Sequence, residues 1–401
     1  MKIVIAPDSW KESLSAADVA QAIEKGFREI FPHADYIRVP LADGGEGTVD
    51  AMVSATQGTT ITTRVTGPLG QPVDACWGIS GDGDTAFIEM AEASGLALVP
   101  PAQRNPLLTT SRGTGELILA ALDRGVRHIL IGIGGSATND GGAGMVQALG
   151  AKLCDASGQQ IGPGGASLAK LVRIDLSALD GRLRECDIKV ACDVTNPLTG
   201  EQGASFIFGP QKGADPQMVR ELDGYLAHYA QVIQRELHRE VDAIPGAGAA
   251  GGMGAALIAF LNAELRSGIE LVTEALHLES HIQNCTLVVT GEGRIDSQSI
   301  HGKVPVGVAR VAKKHHKPVI GIAGSLTPDV AVVHQHGLDA VFSVLNSIGT
   351  LEEALRNASD NVYRSARNIA ATLLVGMSVT EKQSQSVKQS ESVKQSEPGV
   401  L

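Results

Sequence analysis

The chain has 401 residues, of which 43% are hydrophobic, and this length exceeds what a typical single domain requires. Its net charge of −11 and its aromatic content of 3% argue against a nucleic-acid surface, which needs clustered cations and stacking rings. We therefore expect two domains and a soluble enzyme that acts on small molecules.

The cysteines and the apolar segments indicate a compartment. The five cysteines are odd in number, widely spaced and never arranged as Cys-x-x-Cys, which argues against a disulfide framework and against a zinc site. No window approaches the roughly 20 apolar residues of a membrane helix. Met1-Lys2 leads directly into a predicted strand, without the apolar stretch of a signal peptide. These features predict a cytoplasmic protein with no membrane segment.

The N-terminal segment has the pattern of a βαβ unit. Residues 2–6 form an apolar run typical of a buried strand, and Ser15-Ala-Ala-Asp18 resembles a capping box. Apolar residues at one-face helical spacing follow it: Val19, Ile23, Phe27 and Ile30. Pro32 ends this helix, and residues 36–40 form the next strand one crossover later.

The same rhythm returns near the C-terminus. Strands are predicted at 286–290, 318–322 and 340–344, with helical segments around 303–315 and 328–336 between them. We therefore predict an α/β fold whose first domain is a discontinuous doubly wound parallel sheet of the Rossmann or flavodoxin type. This domain is expected to comprise residues 1–60 and 283–380.

Residues 61–282 are predicted to form an inserted second domain of the α/β or α+β kind. The turns Gly67-Pro-Leu-Gly70 and Gly81-Asp-Gly83 separate short β-like runs, which favours hairpins. The strand at 128–133 is compatible with either domain. Helices are predicted in the insert at 114–124, 141–150, 216–238 and 249–265. The active site is expected in the cleft between the two domains.

The last residues differ in composition from the rest of the chain. Ser386-Val-Lys-Gln-Ser-Glu391 is repeated as residues 392–397, with almost nothing to bury. This pattern predicts a disordered low-complexity tail over residues 381–401, to which we assign no function.

Polar loops follow several of the predicted strands. Asp43-Gly-Gly-Glu-Gly-Thr48 places two carboxylates among three glycines at a strand-to-helix turn, which is where open α/β sheets bind ligands. Its structural alternative is a tight turn whose acids cap the next helix. Ala6–Ser13 carries Asp8, Ser9 and Lys11 before a helix N-terminus, which favours an anion. The alternative there is N-capping by Ser13 or Ser15, with Lys11 in solvent.

Ile131–Gly142 is the densest of these loops. It combines five glycines with Ser136, Thr138, Asn139 and Asp140, and successive backbone N–H groups in such a loop cradle phosphate oxygens. Close packing of a helix on the sheet is the alternative, but packing alone does not require this polar content. The loop is therefore our candidate for phosphate binding.

Three further segments carry charge at strand or helix ends. Arg112 in Ser111–Glu116 suits bidentate recognition of a carboxylate or phosphate. Asp193 and Asn196 lie in Cys192–Pro197, and Thr290–Asp296 repeats the Gly-Glu-Gly theme. Each alone is also compatible with a cap or an ion pair, but their recurrence favours a shared cleft.

Five of these segments together resemble the bacterial type 1 glycerate kinase family, over nearly the whole chain to about residue 377. They are Lys2-Ile-Val-Ile-Ala-Pro-Asp-Ser9, Ala42-Asp-Gly-Gly-Glu-Gly-Thr48, Ser111-Arg-Gly-Thr-Gly-Glu116, Gly134-Gly-Ser-Ala-Thr-Asn-Asp-Gly-Gly142 and Thr290-Gly-Glu-Gly-Arg-Ile-Asp296. The chain departs from the family in Trp10-Lys-Glu-Ser13, where Phe-Lys-Gly-Ser is common, and in its tail.

The resemblance implies ATP-dependent phosphorylation of D-glycerate to 2-phospho-D-glycerate, in the use of glucarate, galactarate, glyoxylate or allantoin. It also implies a Rossmann-like domain and a second α/β domain that face each other across a cleft. The expected partners are the small molecules D-glycerate and ATP, with neither nucleic acid nor membrane. The sequence does not determine the oligomeric state, and a homodimer is compatible with it.

Phosphoryl transfer needs neutralised phosphate charge, Mg²⁺ and a base on the attacking hydroxyl. We predict Asp193 as the general base, with Asp8 as the alternative, and Lys11 and Arg112 as groups that hold the glycerate carboxylate or the transferring phosphate. Mg²⁺ prefers one or two carboxylates, so the metal candidates are Asp43, Glu46 and Glu292. The candidates for ATP binding are Gly134, Gly135, Ser136, Thr138, Asn139, Asp140, Gly291 and Gly293. The candidates for glycerate binding are Ser9, Asp43, Gly44, Gly45, Arg112 and Asn196.

Other functions compete with this hypothesis. Gly246-Ala-Gly-Ala-Ala-Gly251 matches the dinucleotide fingerprint of a dehydrogenase in its letters, but it follows a helix and Pro245, so we interpret it as a flexible lead into a small-residue helix. A kinase for the 3-hydroxyl of glycerate, or for another small hydroxy acid, is the first alternative function. The second is a non-catalytic sensor of a small acid. Neither the position of phosphorylation nor the nucleotide-binding domain follows from the residues alone.

Overall fold

The computed structural model describes residues 1–45, 47–300 and 302–395, with side chains as far as residue 379. Within these residues the strands are β1 (Lys2–Pro7), β2 (Asp35–Arg38), β3 (Thr59–Thr66), β4 (Pro72–Ile79), β5 (Thr85–Glu89), β6 (His128–Gly132), β7 (Lys152–Cys154), β8 (Arg173–Asp175), β9 (Asp187–Ala191), β10 (Glu264–Arg266), β11 (Leu287–Ile295), β12 (Val319–Leu326) and β13 (Ala340–Ser343).

The α-helices of the same residues are α1 (Ala16–Ile30), α2 (Thr48–Ala55), α3 (Ala91–Ser94), α4 (Arg112–Asp123), α5 (Ala143–Ala148), α6 (Ala204–Phe208), α7 (Pro216–Leu237), α8 (Ala249–Leu261), α9 (Gly268–Ala275), α10 (Leu278–Gln283), α11 (Val304–Lys314), α12 (Leu351–Arg356) and α13 (Ala358–Gln395). Several 3₁₀ turns connect them. None of the helices in the described part of the chain has the length and apolar character needed to cross a membrane.

By its internal contacts the chain divides into two compact units. The terminal unit comprises Met1–Val39, Ser280–Ser299 and Val308–Leu401, and the central unit comprises Pro40–Glu279 and Ile300–Gly307. Residues 40–60 were predicted to belong with the N-terminal strands, but α2 packs against β4 and β5 of the central unit. The domain boundaries and the cleft between domains stay predictions.

The terminal unit is built on one parallel sheet. Its strand order is β13-β12-β11-β1-β2, with every neighbouring pair parallel. The five strands predicted from the two ends of the chain are therefore all present in a single sheet. The predicted α/β fold class with a parallel sheet is confirmed.

Helix α1 forms as its sequence predicts. The Ser15 side chain accepts a 3.1 Å hydrogen bond from the Asp18 N–H and caps the first turn. Val19, Ile23 and Phe27 recur at intervals of four and are fully buried, each contributing about 1.5–3 kcal/mol through burial. Gly26 lets α1 approach α13, since a Cβ there would lie 2.5 Å from the Tyr363 carbonyl oxygen.

The C-terminal tail includes the end of helix α13, which continues as far as Gln395. The repeat contains Gln, Lys and Glu, which favour helix, and neither Gly nor Pro occurs between Gly376 and Pro398. The disorder of residues 381–401 stays a prediction, and residues 396–401 lie outside the described part.

The central unit contains a mixed six-stranded sheet of order β10-β9-β6-β5-β4-β3. The predicted hairpins are confirmed, because β3 pairs with β4, and β4 with β5, in antiparallel register. The remaining pairs are parallel, and α4 connects β5 to β6 as a crossover. This larger part of the sheet is thus α/β in character. It includes β6, the strand predicted at 128–133 that was compatible with either domain.

Helix α8 is shorter than predicted and begins unusually. Residues 249–265 were expected to be helical, but the helix ends at Leu261 with Asn262 in the left-handed conformation, and β10 follows. Ala250, Gly251 and Gly252 are also left-handed. A Cβ at Gly251 would lie 2.0 Å from the Thr138 carbonyl oxygen, so this glycine segment is tightly packed rather than a flexible lead.

Candidate active site

The carboxyl ends of β6 and β9 open into a pocket of about 300 Å³, which lies within the central unit. Its lining is made by Asp43, Gly44, Gly45, Ile133, Gly134, Gly135, Ser136, Ala191, Cys192, Asp193, Val194, Phe208, Gln211, Lys212, Ala249 and Ala250. Loops that follow neighbouring parallel strands meet at one sheet edge, which explains why segments far apart in sequence converge here. The pocket combines predicted phosphate, substrate and catalytic residues.

Glycines hold the Asp43–Gly45 loop against the sheet edge. Gly44 has a φ of +90°, and a Cβ there would lie 2.6 Å from the Ala191 Cβ. A Cβ at Gly132 would lie 2.4 Å from the Gly44 carbonyl oxygen, and one at Gly268 only 1.8 Å from that of Asp43. These close backbone approaches require glycine at three separate positions. They bring the Asp43 loop beside β6 and β9.

Glu89, which the sequence analysis missed, anchors the other end of the same loop. Its carboxylate accepts a 2.9 Å hydrogen bond from the Val49 N–H, and the Gly47 N–H also donates to it. Gly47 precedes α2 without a side chain to cap it, so Glu89 supplies the cap from β5. Burial raises the pKa of Glu89 to about 7. The only sequence signal was a carboxylate at the end of an apolar strand.

Asp193 follows β9 and faces the pocket. Its Oδ1 accepts a 3.1 Å hydrogen bond from the Gly268 N–H, and the Ser267 hydroxyl also donates to it. Although the residue keeps a solvent-exposed surface, the surrounding protein partly desolvates its carboxylate and raises its pKa, with a smaller contribution from the negative charge of Asp43. A raised pKa makes Asp193 a stronger proton acceptor, which suits the predicted base.

The glycine loop after β6 divides into two parts. Gly134, Gly135 and Ser136 line the pocket, whereas Thr138 and Asn139 are fully buried and do not contribute to its lining. The Asn139 Nδ2 donates a 3.0 Å hydrogen bond to the hydroxyl of Ser205. The structure therefore places the first half of the predicted phosphate loop at the pocket and the second half beneath it.

Asp140 organises this buried half. Its carboxylate accepts hydrogen bonds from the Ser111 N–H at 2.9 Å, the Ser111 hydroxyl at 2.8 Å, the Gly142 N–H at 3.1 Å and the Gly144 N–H at 3.3 Å. Complete burial raises its pKa, and these bonds oppose that effect. The carboxylate thus joins the start of α4 to the start of α5. This arrangement explains the acid by loop geometry rather than by a ligand.

Lys212 is the second residue that the sequence analysis missed. It is only 2% exposed, and its Nζ donates hydrogen bonds to the Ser136 hydroxyl at 2.7 Å and to the Thr138 carbonyl at 2.6 Å. Burial lowers its pKa to about 7, while the Asp140 carboxylate acts in the opposite direction. Lys212 lies 76 residues after Ser136, and no spacing pattern connects the two.

Two predicted residues of the central unit do not line the pocket. Arg112 donates a 2.9 Å hydrogen bond to Glu116 one turn along α4, and 47% of its side chain is exposed. Asn196 donates from its Nδ2 to the Gln202 carbonyl at 2.7 Å. Each side chain has a local structural partner, which was the alternative interpretation of such residues.

The remaining predicted residues form a cluster in the terminal unit, where the carboxyl end of β1 lies beside the middle of β11. The Asp8 N–H donates to the Gly291 carbonyl at 2.8 Å, and the Ser9 N–H donates to Asp8 Oδ1 at 2.6 Å. Glu292 is buried and accepts a hydrogen bond from Ser299. Gly293 is adjacent to Trp10, and Lys11 is exposed. The structure therefore brings the two predicted segments of this unit together, but residues 290–295, which were predicted as a loop, continue strand β11 and pair with β12.

The predicted metal ligands belong to different parts of the fold. Asp43 lies in the central unit, Glu292 lies in the terminal unit, and Glu46 falls outside the described residues. Within the described residues, no group of three or more His, Cys, Asp or Glu side chains is placed to hold a metal ion. Asp43 and Asp193 do line one pocket. A carboxylate such as that of Asp43, completed by phosphate oxygens and water, fits the coordination that Mg²⁺ prefers.

The chain is similar to known proteins over most of its length. Residues 3–374 match the model of the glycerate kinase family. The chain is 74% identical to the glycerate 2-kinase of Escherichia coli K12, over 94% of this chain and 99% of that protein. It is 57% identical to the glycerate kinase of Bacillus subtilis 168, over 93% of this chain and 98% of that protein.

A solved structure is also similar. A crystal structure assigned to glycerate kinase 2 from Salmonella typhimurium LT2 has a TM-score of 0.89 and 66% sequence identity, and the match covers 94% of this chain and 99% of that chain. The family resemblance predicted from the five loop motifs is thereby confirmed. The chain belongs to the glycerate kinase family.

Proposed function

We propose that the chain is an ATP-dependent kinase that transfers the γ-phosphoryl group of ATP to the 2-hydroxyl of D-glycerate, forming 2-phospho-D-glycerate and ADP. The observation that carries this proposal is the central-unit pocket, which is lined by Asp193, by the Gly134–Ser136 loop and by Lys212. The similarity to a protein named glycerate 2-kinase supports the acceptor and the position.

In this proposal Asp193 accepts the proton of the attacking hydroxyl. The hydroxyl oxygen forms a bond to the γ-phosphorus while the bond between that phosphorus and the β,γ-bridging oxygen breaks, and ADP leaves. The bond from the Gly268 N–H holds the carboxylate in position. The raised pKa of Asp193 supports its role as the base.

The phosphate chain is proposed to lie along Gly134, Gly135 and Ser136. Backbone N–H groups of such a loop stabilise anionic oxygens without a conventional P-loop. Mg²⁺, held by Asp43, would supply charge neutralisation on the phosphate oxygens; Glu46 and Glu292 stay as further candidate ligands. Asp43, Gly44 and Gly45 are proposed to contact glycerate from the opposite loop of the pocket.

The cellular context is proposed from the family resemblance. We propose that the reaction belongs to organic-acid catabolism, as in the use of glucarate, galactarate, glyoxylate or allantoin, and that it takes place in the cytoplasm. A homodimer is compatible with this function and is testable by light scattering.

A coupled assay tests the proposed reaction. Purified protein receives D-glycerate, Mg·ATP and enolase without phosphoglycerate mutase, and the absorbance of phosphoenolpyruvate is followed. We expect an immediate signal, since enolase uses 2-phosphoglycerate directly. A signal that requires added mutase would show transfer to the 3-hydroxyl. Absence of ADP formation would contradict the glycerate assignment.

A further inference from the structure

Lys212 is the one cationic side chain among the described residues that line the central-unit pocket. The same lining contains two carboxylates, Asp43 and Asp193. A nucleotide triphosphate would add further negative charge to this small volume. Without a positive group in contact with the phosphates, mutual repulsion would oppose binding.

The burial of Lys212 is costly if its role is only structural. Its direct hydrogen-bond acceptors are the Ser136 hydroxyl and the Thr138 carbonyl, and both are uncharged. No salt bridge involves Lys212 within the described part of the chain. An ammonium group buried without an ion pair destabilises a protein relative to an apolar residue of similar size. Such a group is therefore better explained by a ligand that it meets.

The position of Lys212 also matches the proposed phosphate loop. Its ammonium lies 2.7 Å from the hydroxyl of Ser136, which itself lines the pocket. The 3₁₀ turn Pro210–Lys212 holds the lysine there, and the left-handed Gly213 follows it. A phosphate oxygen bound at this loop would lie within reach of the ammonium after a small side-chain movement.

We propose that Lys212 is a catalytic residue of the reaction set out above, whose ammonium contacts a non-bridging phosphate oxygen of the nucleotide at the Gly134–Ser136 loop. The proposal rests on the proposed kinase function. In the free protein the Lys212 Nζ donates hydrogen bonds to two uncharged oxygens, and in the complex an anionic phosphate oxygen replaces one of them. Lys212 thus brings a positive charge to the Gly134–Ser136 loop, whose own sequence contains no cationic residue.

The electrostatic environment provides a measurable signature. Burial lowers the pKa of Lys212 to about 7, whereas Asp140 opposes this shift. Asp43 and Asp193 face it across the pocket, and Tyr229 packs close to Asp140. At pH 8 the free lysine is therefore mostly neutral. Contact with phosphate stabilises the charged form and raises the pKa, so binding at pH 8 takes up a proton.

Titration calorimetry with Mg·ATP at pH 8, without glycerate, tests this assignment. Measurements in Tris and HEPES, whose ionisation heats differ, give the number of protons taken up. We expect uptake approaching one proton for the wild-type protein. Lys212→Met should abolish the uptake and weaken binding about tenfold or more, the loss expected for a charge-assisted hydrogen bond. Lys152→Met, at an exposed lysine of β7, should behave as wild type.

The variant Lys212→Arg tests whether a loss in Lys212→Met comes from the missing positive charge or from impaired folding. Arginine stays protonated, so this variant should recover part of the affinity but show no proton uptake. Comparison of Lys212→Arg with the wild-type protein keeps the test independent of whether Lys212→Met folds. Unchanged affinity and uptake in folded Lys212→Met, or uptake in Lys212→Arg equal to wild type, would overturn the inference alone. Absence of Mg·ATP binding by the wild-type protein would overturn the kinase proposal as well.

Discussion

The Asp193 carboxylate accepts a 3.1 Å hydrogen bond from the Gly268 N–H at the first residue of α9. A helix N-terminus favours a negative charge, so this bond orients the ionised carboxylate and stabilises it. Partial desolvation acts in the opposite direction and raises its pKa. The two effects together hold an oriented carboxylate that still accepts a proton readily.

The variant Asp193→Asn tests the proposed base. We expect turnover to fall by about 10²–10⁴-fold, the usual contribution of general base catalysis, because an amide does not accept the hydroxyl proton. Binding of Mg·ATP should change little. The enolase-coupled assay measures the first effect and calorimetry the second. Asp74→Asn, at an exposed site of the β3–β4 hairpin, is the control. Turnover within a few-fold of wild type would reject this role for Asp193.

A substitution at Gly44 tests how tightly the Asp43–Gly45 loop is packed against the sheet edge. Gly44→Ala forces an L-residue to a φ of +90° and places its Cβ 2.6 Å from Ala191. We expect a loss of about 2–4 kcal/mol in the free energy of unfolding and a fall in turnover. Gly70→Ala is a matched control, since Gly70 has a φ of +80° with nothing within 4 Å of its Cβ position. It should cost about 1 kcal/mol and leave turnover intact. Denaturant titration that gives equal losses would contradict the packing argument.

The raised pKa of Glu89 predicts that the free energy of unfolding depends on pH. Its pKa is raised from 4.5 to about 7, so the folded state binds the proton more tightly than the unfolded state. The contribution of Glu89 to the free energy of unfolding is therefore fully present below pH 4.5 and is lost as the pH rises to about 7.

Glu89→Gln removes this titration but keeps an oxygen that accepts from Val49. Relative to wild type, the variant should be more stable at pH 8 than at pH 5, by on the order of 1–3 kcal/mol. Urea unfolding at the two pH values measures the difference, with the exposed Glu185→Gln as control. A difference that is the same at both pH values would exclude Glu89 as the titrating group.

The variant Asp140→Asn tests whether Asp140 organises the surrounding loop or binds a ligand. Asp140→Asn turns an NH₂ group towards N–H and O–H donors, which thereby lose their acceptor, so we expect a loss of about 2–4 kcal/mol in the free energy of unfolding. Asp155→Asn is the control, because Asp155 accepts comparable bonds in an exposed turn. Its thermal midpoint should change little. A stable Asp140→Asn protein that fails only in nucleotide binding would instead indicate a direct ligand contact.

Much of the fold followed from local patterns. The apolar runs at residues 2–6 and 286–290 predicted strands that the structure places side by side in β1 and β11. The capping-box pattern that begins at Ser15 predicted the N-cap of α1. These predictions succeeded because strand periodicity, helix capping and glycine turns depend on residues only a few positions apart. The extension of α13 to Gln395 was not part of the prediction, because the repeat was interpreted from its low hydrophobicity, which does not prevent an existing helix from continuing.

The sequence by itself determined that glycine-rich loops with carboxylates and hydroxyls follow the strands, and its motifs determined the family. Only the tertiary structure decided which of these loops meet. It placed Gly44 against Ala191, left Arg112 on the surface of α4 and brought Lys212 to Ser136 across 76 residues. Such contacts depend on strand order and on the packing of distant loops, and no local rule of spacing or propensity contains that information.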